Sequence, residues 1–103
     1  MKAYIAGKIT GDPNYREKFQ AAKESLERNG LIVLNPAQLP EGMEPKDYMK
    51  ICFAMIDVAD YVFLLPDWRE SKGANLEYEY CRYTGKNTVT LSADEINPDC
   101  SRR

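Results

Sequence analysis

The chain has 103 residues, of which 44% are hydrophobic, and a formal net charge of -2, which fits one folded domain rather than a disordered segment. Its 14 basic and 16 acidic residues are interspersed, so nucleic-acid binding through a cationic surface is not expected. No apolar stretch approaches the roughly 20 residues that cross a bilayer, which argues against a membrane protein.

The hydrophobic pattern predicts four strands that alternate with three main helices. In chain order they are strand 2–6, helix 15–29, strand 31–34, helix 45–59, strand 61–65, a helix from 73 or 74 to 84, and strand 87–91. Phe19, Ala22 and Leu26 form one apolar face of the first helix. Leu31–Leu34 is apolar throughout, which predicts a strand buried on both faces.

Strands that alternate with helices predict a parallel sheet in an α/β fold, with helices on both faces. Right-handed crossovers leave few topologies, and the compact one has strand order 2-1-3-4. Ligands of such sheets bind beyond the carboxyl ends of the strands where the order reverses, here between the first and third strands. The segments Gly7–Gly11 and Asp67–Glu77 are predicted to meet there. The domain covers residues 1–92, and residues 93–103 form a polar tail with a short helical turn at 93–96.

Cysteine and histidine usage limits the chemistry and the compartment. Histidine is absent, and Cys52, Cys81 and Cys100 show no CxxC spacing, so we expect no metal, no cofactor and no disulfide framework. Cys52 and Cys81 fall in helical patterns and are predicted to be buried thiols. The N-terminus enters a strand without a signal-peptide region, and together these features predict a cytoplasmic protein.

Glu77 is the principal candidate for catalysis. It follows the Ser71–Gly73 loop and is predicted in the first helical turn, where the macrodipole and unpaired N–H groups would keep it ionised at neutral pH. An ionised carboxylate without a nearby histidine suits nucleophilic attack on an anomeric carbon. Acidic residues are also frequent in first turns for purely structural reasons. Glu79 is a competing candidate, although its position predicts a side chain toward solvent.

Two residues after the third strand have alternative interpretations. Asp67 either forms the turn, or holds a sugar hydroxyl or acts as general acid or base on the leaving base. Trp68 is unusual in a polar loop, and either lines a nucleobase pocket or packs against a partner subunit.

The segment Gly7–Gly11 resembles a phosphate-binding loop only loosely, since it is neither GxGxxG nor a Walker sequence. Gly7 permits a close backbone approach, and Lys8 or Thr10 is suited to contact a phosphate. The alternative is an ordinary strand-to-helix loop. Ser71 and Lys72 would add donors from the opposite loop, and these donors together favour a nucleotide over a nucleoside.

Three segments carry a resemblance to a known family: Tyr4–Gly11, Ala59–Val62 leading to Asp67, and Ser71–Tyr80. Over Lys2 to about Leu91, the chain resembles the nucleoside 2-deoxyribosyltransferase-like superfamily, and more narrowly a small bacterial and phage branch of it. The resemblance implies a flavodoxin-like fold, assembly into a homodimer or higher oligomer, and a site completed by a neighbouring subunit.

The resemblance also implies roles for individual residues. Glu77 would be the nucleophile that attacks the anomeric carbon, Tyr4 would orient it, and Asp67 would lie near the sugar or base. The residues that match substrate-binding loops, including the 5′-phosphate contact of nucleotide-cleaving members, are Gly7, Lys8, Ile9, Thr10, Ser71 and Gly73. Glu79 departs from the family, which commonly has a small residue there, and leaves the choice of nucleophile open.

The sequence therefore predicts an N-glycosidase or deoxyribosyltransferase that acts on nucleosides or nucleoside 5′-monophosphates. The alternative is a non-catalytic module that binds or senses a nucleotide. The base, the sugar, and hydrolysis versus transfer are left open by the sequence.

Overall fold

The computed structural model describes residues 1–96, so Cys100 and the rest of the predicted polar tail beyond Ile96 lie outside the described residues. The elements, in chain order, are β1 (Lys2–Ala6), α1 (Tyr15–Arg28), β2 (Ile32–Leu34), α2 (Pro45–Val58), β3 (Tyr61–Leu64), α3 (Lys72–Thr84), β4 (Asn87–Thr90) and α4 (Ala93–Ile96), with 3-10 turns at Pro36–Gln38 and Trp68–Glu70. The short C-terminal helical turn is confirmed as α4. No helix within this part of the chain has the length and apolarity to cross a membrane.

The four strands form one parallel sheet in the order β2-β1-β3-β4, which confirms the predicted α/β topology. β1 lies between β2 and β3, with Tyr4 opposite Leu34 on one side and opposite Val62 on the other. The chain therefore forms β2 on one side of β1 and then crosses to the other side to form β3 and β4. This reversal leaves a crevice beyond the carboxyl ends of β1 and β3.

Alternating side chains of β1 divide the core into two layers, because successive strand residues point to opposite faces. Tyr4 and Ala6 pack toward α2 and α3, whereas Ala3 and Ile5 pack toward α1. The predicted buried face of α1 is confirmed, and so are the buried thiols of Cys52 and Cys81. Further buried members are Ile56, Val62, Leu64 and Ala74 on the α2–α3 side, and Phe19, Ala22, Leu26 and Leu65 on the α1 side.

The prediction that β2 is buried on both faces is wrong. β2 is an edge strand that pairs only with β1, and Ile32 is 64% exposed while Val33 and Leu34 are half-buried. The helices cover the centre of the sheet more fully than this edge. An apolar strand sequence therefore did not distinguish a central strand from an edge strand.

Candidate active site

A cavity of about 730 Å³ opens at the carboxyl ends of β1 and β3, a volume typical of small-molecule sites. The first loop (residues 7–14, between β1 and α1) and the second loop (residues 65–71, between β3 and α3) both contribute to its wall. The predicted meeting of these loops at the reversal of the sheet is therefore confirmed. Tyr4, Cys52 and Glu77 also line the cavity.

Glu77 lies in the cavity wall with only 6% of its surface exposed. The hydroxyl group of Tyr4, which is itself fully buried, donates a hydrogen bond of 2.7 Å to Glu77 Oε2. Tyr4 comes from the central strand and Glu77 from α3, so the pair joins the sheet to the helix beside the cavity. A carboxylate held by a rigid donor keeps a fixed orientation, which is what a reacting group requires.

The predicted first-turn position of Glu77 is wrong, and so is the expectation of full ionisation at neutral pH. Ser71 caps α3 by accepting a hydrogen bond from the Ala74 N–H at 3.1 Å, so the helix begins at Lys72 and Glu77 lies in its second turn. There the carboxylate is beyond the unpaired N–H groups of the helix end. Burial instead raises the pKa of Glu77 from its ordinary 4.5 to about 7, although the hydrogen bond from Tyr4 and the nearby Cys52 thiol offset part of this rise.

The two neighbours of Glu77 keep their protons at neutral pH. Burial, followed by the nearby charge of Glu77, raises the pKa of Tyr4 well above its usual value. Burial likewise raises the pKa of the Cys52 thiol to about 11. Both groups can therefore donate to the Glu77 carboxylate, and neither adds a competing negative charge.

Glu79, the competing nucleophile, lies on the opposite side of α3. Its side chain is 66% exposed and is 3.8 Å from Nη1 of Arg82. The predicted solvent-facing position is confirmed, and Glu79 does not line the cavity.

Asp67 lies outside the cavity lining, and its two oxygens are engaged by the first loop and by α1. Oδ1 accepts from the Lys8 backbone N–H at 3.1 Å, and Oδ2 forms an ion pair with Lys18. Nζ of Lys18 also donates to Asp12 at 2.5 Å and to the Lys8 carbonyl at 2.8 Å. We call Lys18, Asp12 and Asp67 the loop clamp, because they fasten the second loop to the first.

Trp68 does not lie in the cavity wall, so the prediction that it lines a nucleobase pocket is wrong. The residue is 7% exposed, belongs to the core on the α2–α3 side, and its ring centroid is 4.6 Å from that of Tyr78. It does not line the cavity, and its burial within one chain leaves little surface for a partner subunit. The 3-10 turn at Trp68–Glu70 turns the indole inward.

Five of the other predicted binding residues lie in the cavity wall, with different local roles. Gly7, Ile9, Thr10, Ser71 and Gly73 all line it. A Cβ atom at Gly7 would lie 2.6 Å from Cδ1 of Leu65. The close approach that Gly7 permits is therefore between its backbone and the core residue Leu65. A Cβ atom at Gly73 would meet nothing closer than 3.7 Å.

Lys8, like Trp68, was predicted to bind the substrate but does not line the cavity. Its Nζ lies 3.7 Å from Oε1 of Glu70, and its backbone N–H donates to Asp67. The side chain that was expected to contact a phosphate therefore already has an acidic partner.

Much of the apolar wall comes from the segment after β2, which the sequence did not predict to be part of the site. Leu39, Met43, Tyr48 and Met49 line the cavity. The Tyr48 hydroxyl group donates to the Pro40 carbonyl at 2.5 Å and accepts from the Met43 N–H at 3.3 Å, which fixes this segment. Two signals were available: the carboxyl end of β2 opens at the same edge as those of β1 and β3, and the connecting segment carries large apolar residues.

Comparison with known proteins gives one family match. The sequence model described as Domain of unknown function (DUF4406) matches residues 1–90, which include every strand and every cavity-lining residue. No curated protein matches the chain significantly.

Proposed function

Since the chain belongs to the DUF4406 family, a domain of unknown function, we propose its function from the chemistry of the cavity. We propose an N-glycosidase or deoxyribosyltransferase that cleaves the base–sugar bond of nucleosides or nucleoside 5′-monophosphates. The observation that carries this proposal is the buried Glu77 carboxylate, which Tyr4 holds at 2.7 Å in the wall of a cavity of about 730 Å³.

In the proposed reaction, ionised Glu77 attacks C1′ of the sugar with Oε1, while Tyr4 holds Oε2. The bond between C1′ and the base breaks, its electron pair leaves with the base, and the base takes up a proton from solvent. Water then adds to C1′ and returns a proton to solvent, while the ester bond to Glu77 breaks. If a second base adds instead of water, the product is a new nucleoside.

The protonation of the site is compatible with this role. A pKa of about 7 leaves roughly half of Glu77 ionised at neutral pH. Tyr4 and Cys52 stay protonated, so they stabilise the carboxylate without competing as nucleophiles. The Tyr4–Glu77 hydrogen bond also supports the proposed relation to the nucleoside 2-deoxyribosyltransferase-like superfamily, in which a tyrosine of the first strand would orient the glutamate.

The apolar wall supports a nucleobase as part of the ligand. Leu39, Met43 and Met49 offer an apolar surface, and Tyr48 adds an aromatic ring whose hydroxyl group is already bonded to the backbone. A planar base gains from burial against such side chains, whereas the sugar needs the polar groups beside Glu77.

The test measures free base by chromatography after incubation with deoxynucleosides and their 5′-monophosphates. We expect release by the wild type and by the control Glu79→Gln, and loss of release in Glu77→Gln. Equal release by Glu77→Gln, or no release from any substrate by the wild type, would contradict the proposal. A ligand that raises the melting temperature and is recovered intact would instead support a non-catalytic nucleotide-binding module.

The proposal includes a homodimer or higher oligomer in a reducing compartment such as the cytoplasm. Exposed apolar residues of α2 and α3, namely Ile51, Val58, Leu76 and Tyr83, offer a surface that a second copy would bury. The two buried free thiols support the reducing compartment. Sedimentation of the wild type and of Tyr83→Lys tests the assembly, and a monomeric wild type would exclude it.

A further inference from the structure

The charged side chains around the cavity are mainly acidic. Glu41, Glu70 and Glu77 line it, and Lys72 is the one basic residue of the lining among residues 1–96. Glu41 and Glu70 are 70% and 67% exposed, so they stand at the rim, whereas Glu77 lies inside. The lining thus carries three carboxyl groups and one amino group.

The neighbouring cations are already bound to acidic groups. Nζ of Lys8 lies 3.7 Å from Glu70, and Nη1 of Arg16 lies 3.4 Å from Glu41. Lys18, the third cation near the first loop, belongs to the loop clamp. Recognition of a phosphate dianion ordinarily uses arginine or lysine directed at the ligand, and these three side chains are directed at carboxylates.

The start of α3 favours an anion through its N–H groups and through Lys72, the one basic side chain of the lining among residues 1–96. Ser71 takes up the N–H group of Ala74, and the N–H groups of Lys72 and Gly73 remain at the helix end. A phosphate bound there would lie close to Glu70, which immediately precedes Ser71 in the chain. The negative charges of the phosphate and of the Glu70 carboxylate would repel each other.

Hydrogen-bonding capacity points in the same direction as charge. A carboxylate and a phosphate dianion both accept hydrogen bonds and donate none, so they cannot hydrogen-bond to each other. The 3′- and 5′-hydroxyl groups of a nucleoside, and the amino group of most bases, are donors. The rim formed by Glu41 and Glu70 therefore complements a nucleoside, whereas its carboxylates offer a phosphate no hydrogen-bond donor.

We propose that Glu41 and Glu70 determine specificity by excluding a 5′-phosphate, so that the substrate is an unphosphorylated nucleoside. This inference rests on the proposed function of the same site, and it reverses the preference for a nucleotide that the sequence favoured. Because both carboxylates are largely exposed, salt weakens their repulsion.

The experiment compares kcat/KM for deoxyadenosine and deoxyadenosine 5′-monophosphate, and likewise for the three other bases, at low and high ionic strength. We expect the nucleoside to be preferred by about tenfold at low salt, with a smaller preference at high salt because of screening. Equal or better cleavage of the monophosphates would overturn the inference but leave the proposed function standing. Failure to release base from either class would overturn both.

Glu70→Gln tests the role of the rim directly, because it removes one carboxylate and releases Lys8 from its partner. The ratio of the two kcat/KM values should shift toward the monophosphate by about three- to tenfold at low salt. Glu79→Gln makes the same change of net charge on the exposed side of α3 and should leave the ratio as in the wild type. An unchanged ratio in Glu70→Gln, or an equal shift in both variants, would overturn the assignment.

Discussion

Asp67 lies in the second loop and Glu77 in the helix that follows it, yet the surroundings of the two carboxyl groups are opposite. Glu77 is 6% exposed and is held by the uncharged hydroxyl group of Tyr4. The side chain of Asp67 is 22% exposed, pairs with the ammonium group of Lys18, and accepts from a backbone N–H group of the first loop. One carboxyl group is buried without a cation, and the other has two strong donors.

This difference in surroundings supports different roles for the two carboxylates. Burial without a compensating charge costs stability, and it raises the pKa of Glu77 to about 7. In the loop clamp, hydrogen bonding to Lys18 lowers the pKa of Asp12 and the charges satisfy one another. Groups whose charge is poorly compensated within a cavity are typical of functional sites, which supports the proposed catalytic role of Glu77 and favours a loop-positioning role for Asp67.

The largest expected effect concerns activity in two matched amide variants. Glu77→Gln should lower kcat/KM for base release by at least about 10³-fold, because an amide cannot form the glycosyl ester. Asp67→Asn should lower it by less than about tenfold, because it only weakens the contact between the loops. Initial-rate kinetics on one deoxynucleoside measure both, and comparable losses would remove the distinction between the two sites.

The second effect is the dependence of stability on pH. The pKa of Glu77 is about 7 in the folded protein and about 4.5 when unfolded, so the folded state binds this proton more tightly. The contribution of Glu77 protonation to the free energy of unfolding is complete below pH 4.5. It is lost as the pH rises through 7, and the difference is about 3 kcal/mol.

Urea denaturation at several pH values between 5 and 8 measures this loss. Glu77→Gln should remove most of it, whereas Asp12→Asn should leave it in place. Asp12 has a lowered pKa, so its contribution is lost as pH falls, in the opposite direction. Identical stability profiles for the wild type and Glu77→Gln would show that burial does not raise this pKa.

The third effect tests the hydrogen bond that holds the buried carboxylate. Tyr4→Phe removes a donor to Glu77, so we expect a loss of about 10- to 100-fold in kcat and a shift of the acidic limb of the pH–rate profile to higher pH. Tyr78→Phe is the control, because the Tyr78 hydroxyl group makes no side-chain hydrogen bond within residues 1–96. A pH–rate profile that Tyr4→Phe leaves unmoved would argue against this role.

The smallest effect concerns the loop clamp. Lys18→Met leaves Asp12 and Asp67 without their shared cation, and should lower the free energy of unfolding by about 1–2 kcal/mol. Lys23→Met breaks the more exposed pair with Glu27, at 3.9 Å, and should cost less than about 0.5 kcal/mol. Thermal or urea denaturation compares them, and equal costs would mean that the clamp is no stronger than an ordinary surface pair.

The sequence predicted the sheet order and the meeting of the two loops, because helix-crossover handedness and strand alternation restrict both. It did not predict the environment of Glu77, since that depends on where Ser71 caps α3 and on the packing of α2 against it. The burial of Trp68 was not predicted, because its neighbours in the chain are polar and give no indication of its contact with Tyr78. These errors share one cause: burial is set by tertiary contacts that local patterns do not contain.

The contact between Gly7 and Leu65 links the evolution of the cavity to that of the core. Because a methyl group at position 7 would lie 2.6 Å from Cδ1 of Leu65, the wall and the interior cannot change independently. A larger residue at position 7 becomes acceptable only if position 65 becomes smaller. The contour of the first loop therefore depends on a core residue that does not itself line the cavity.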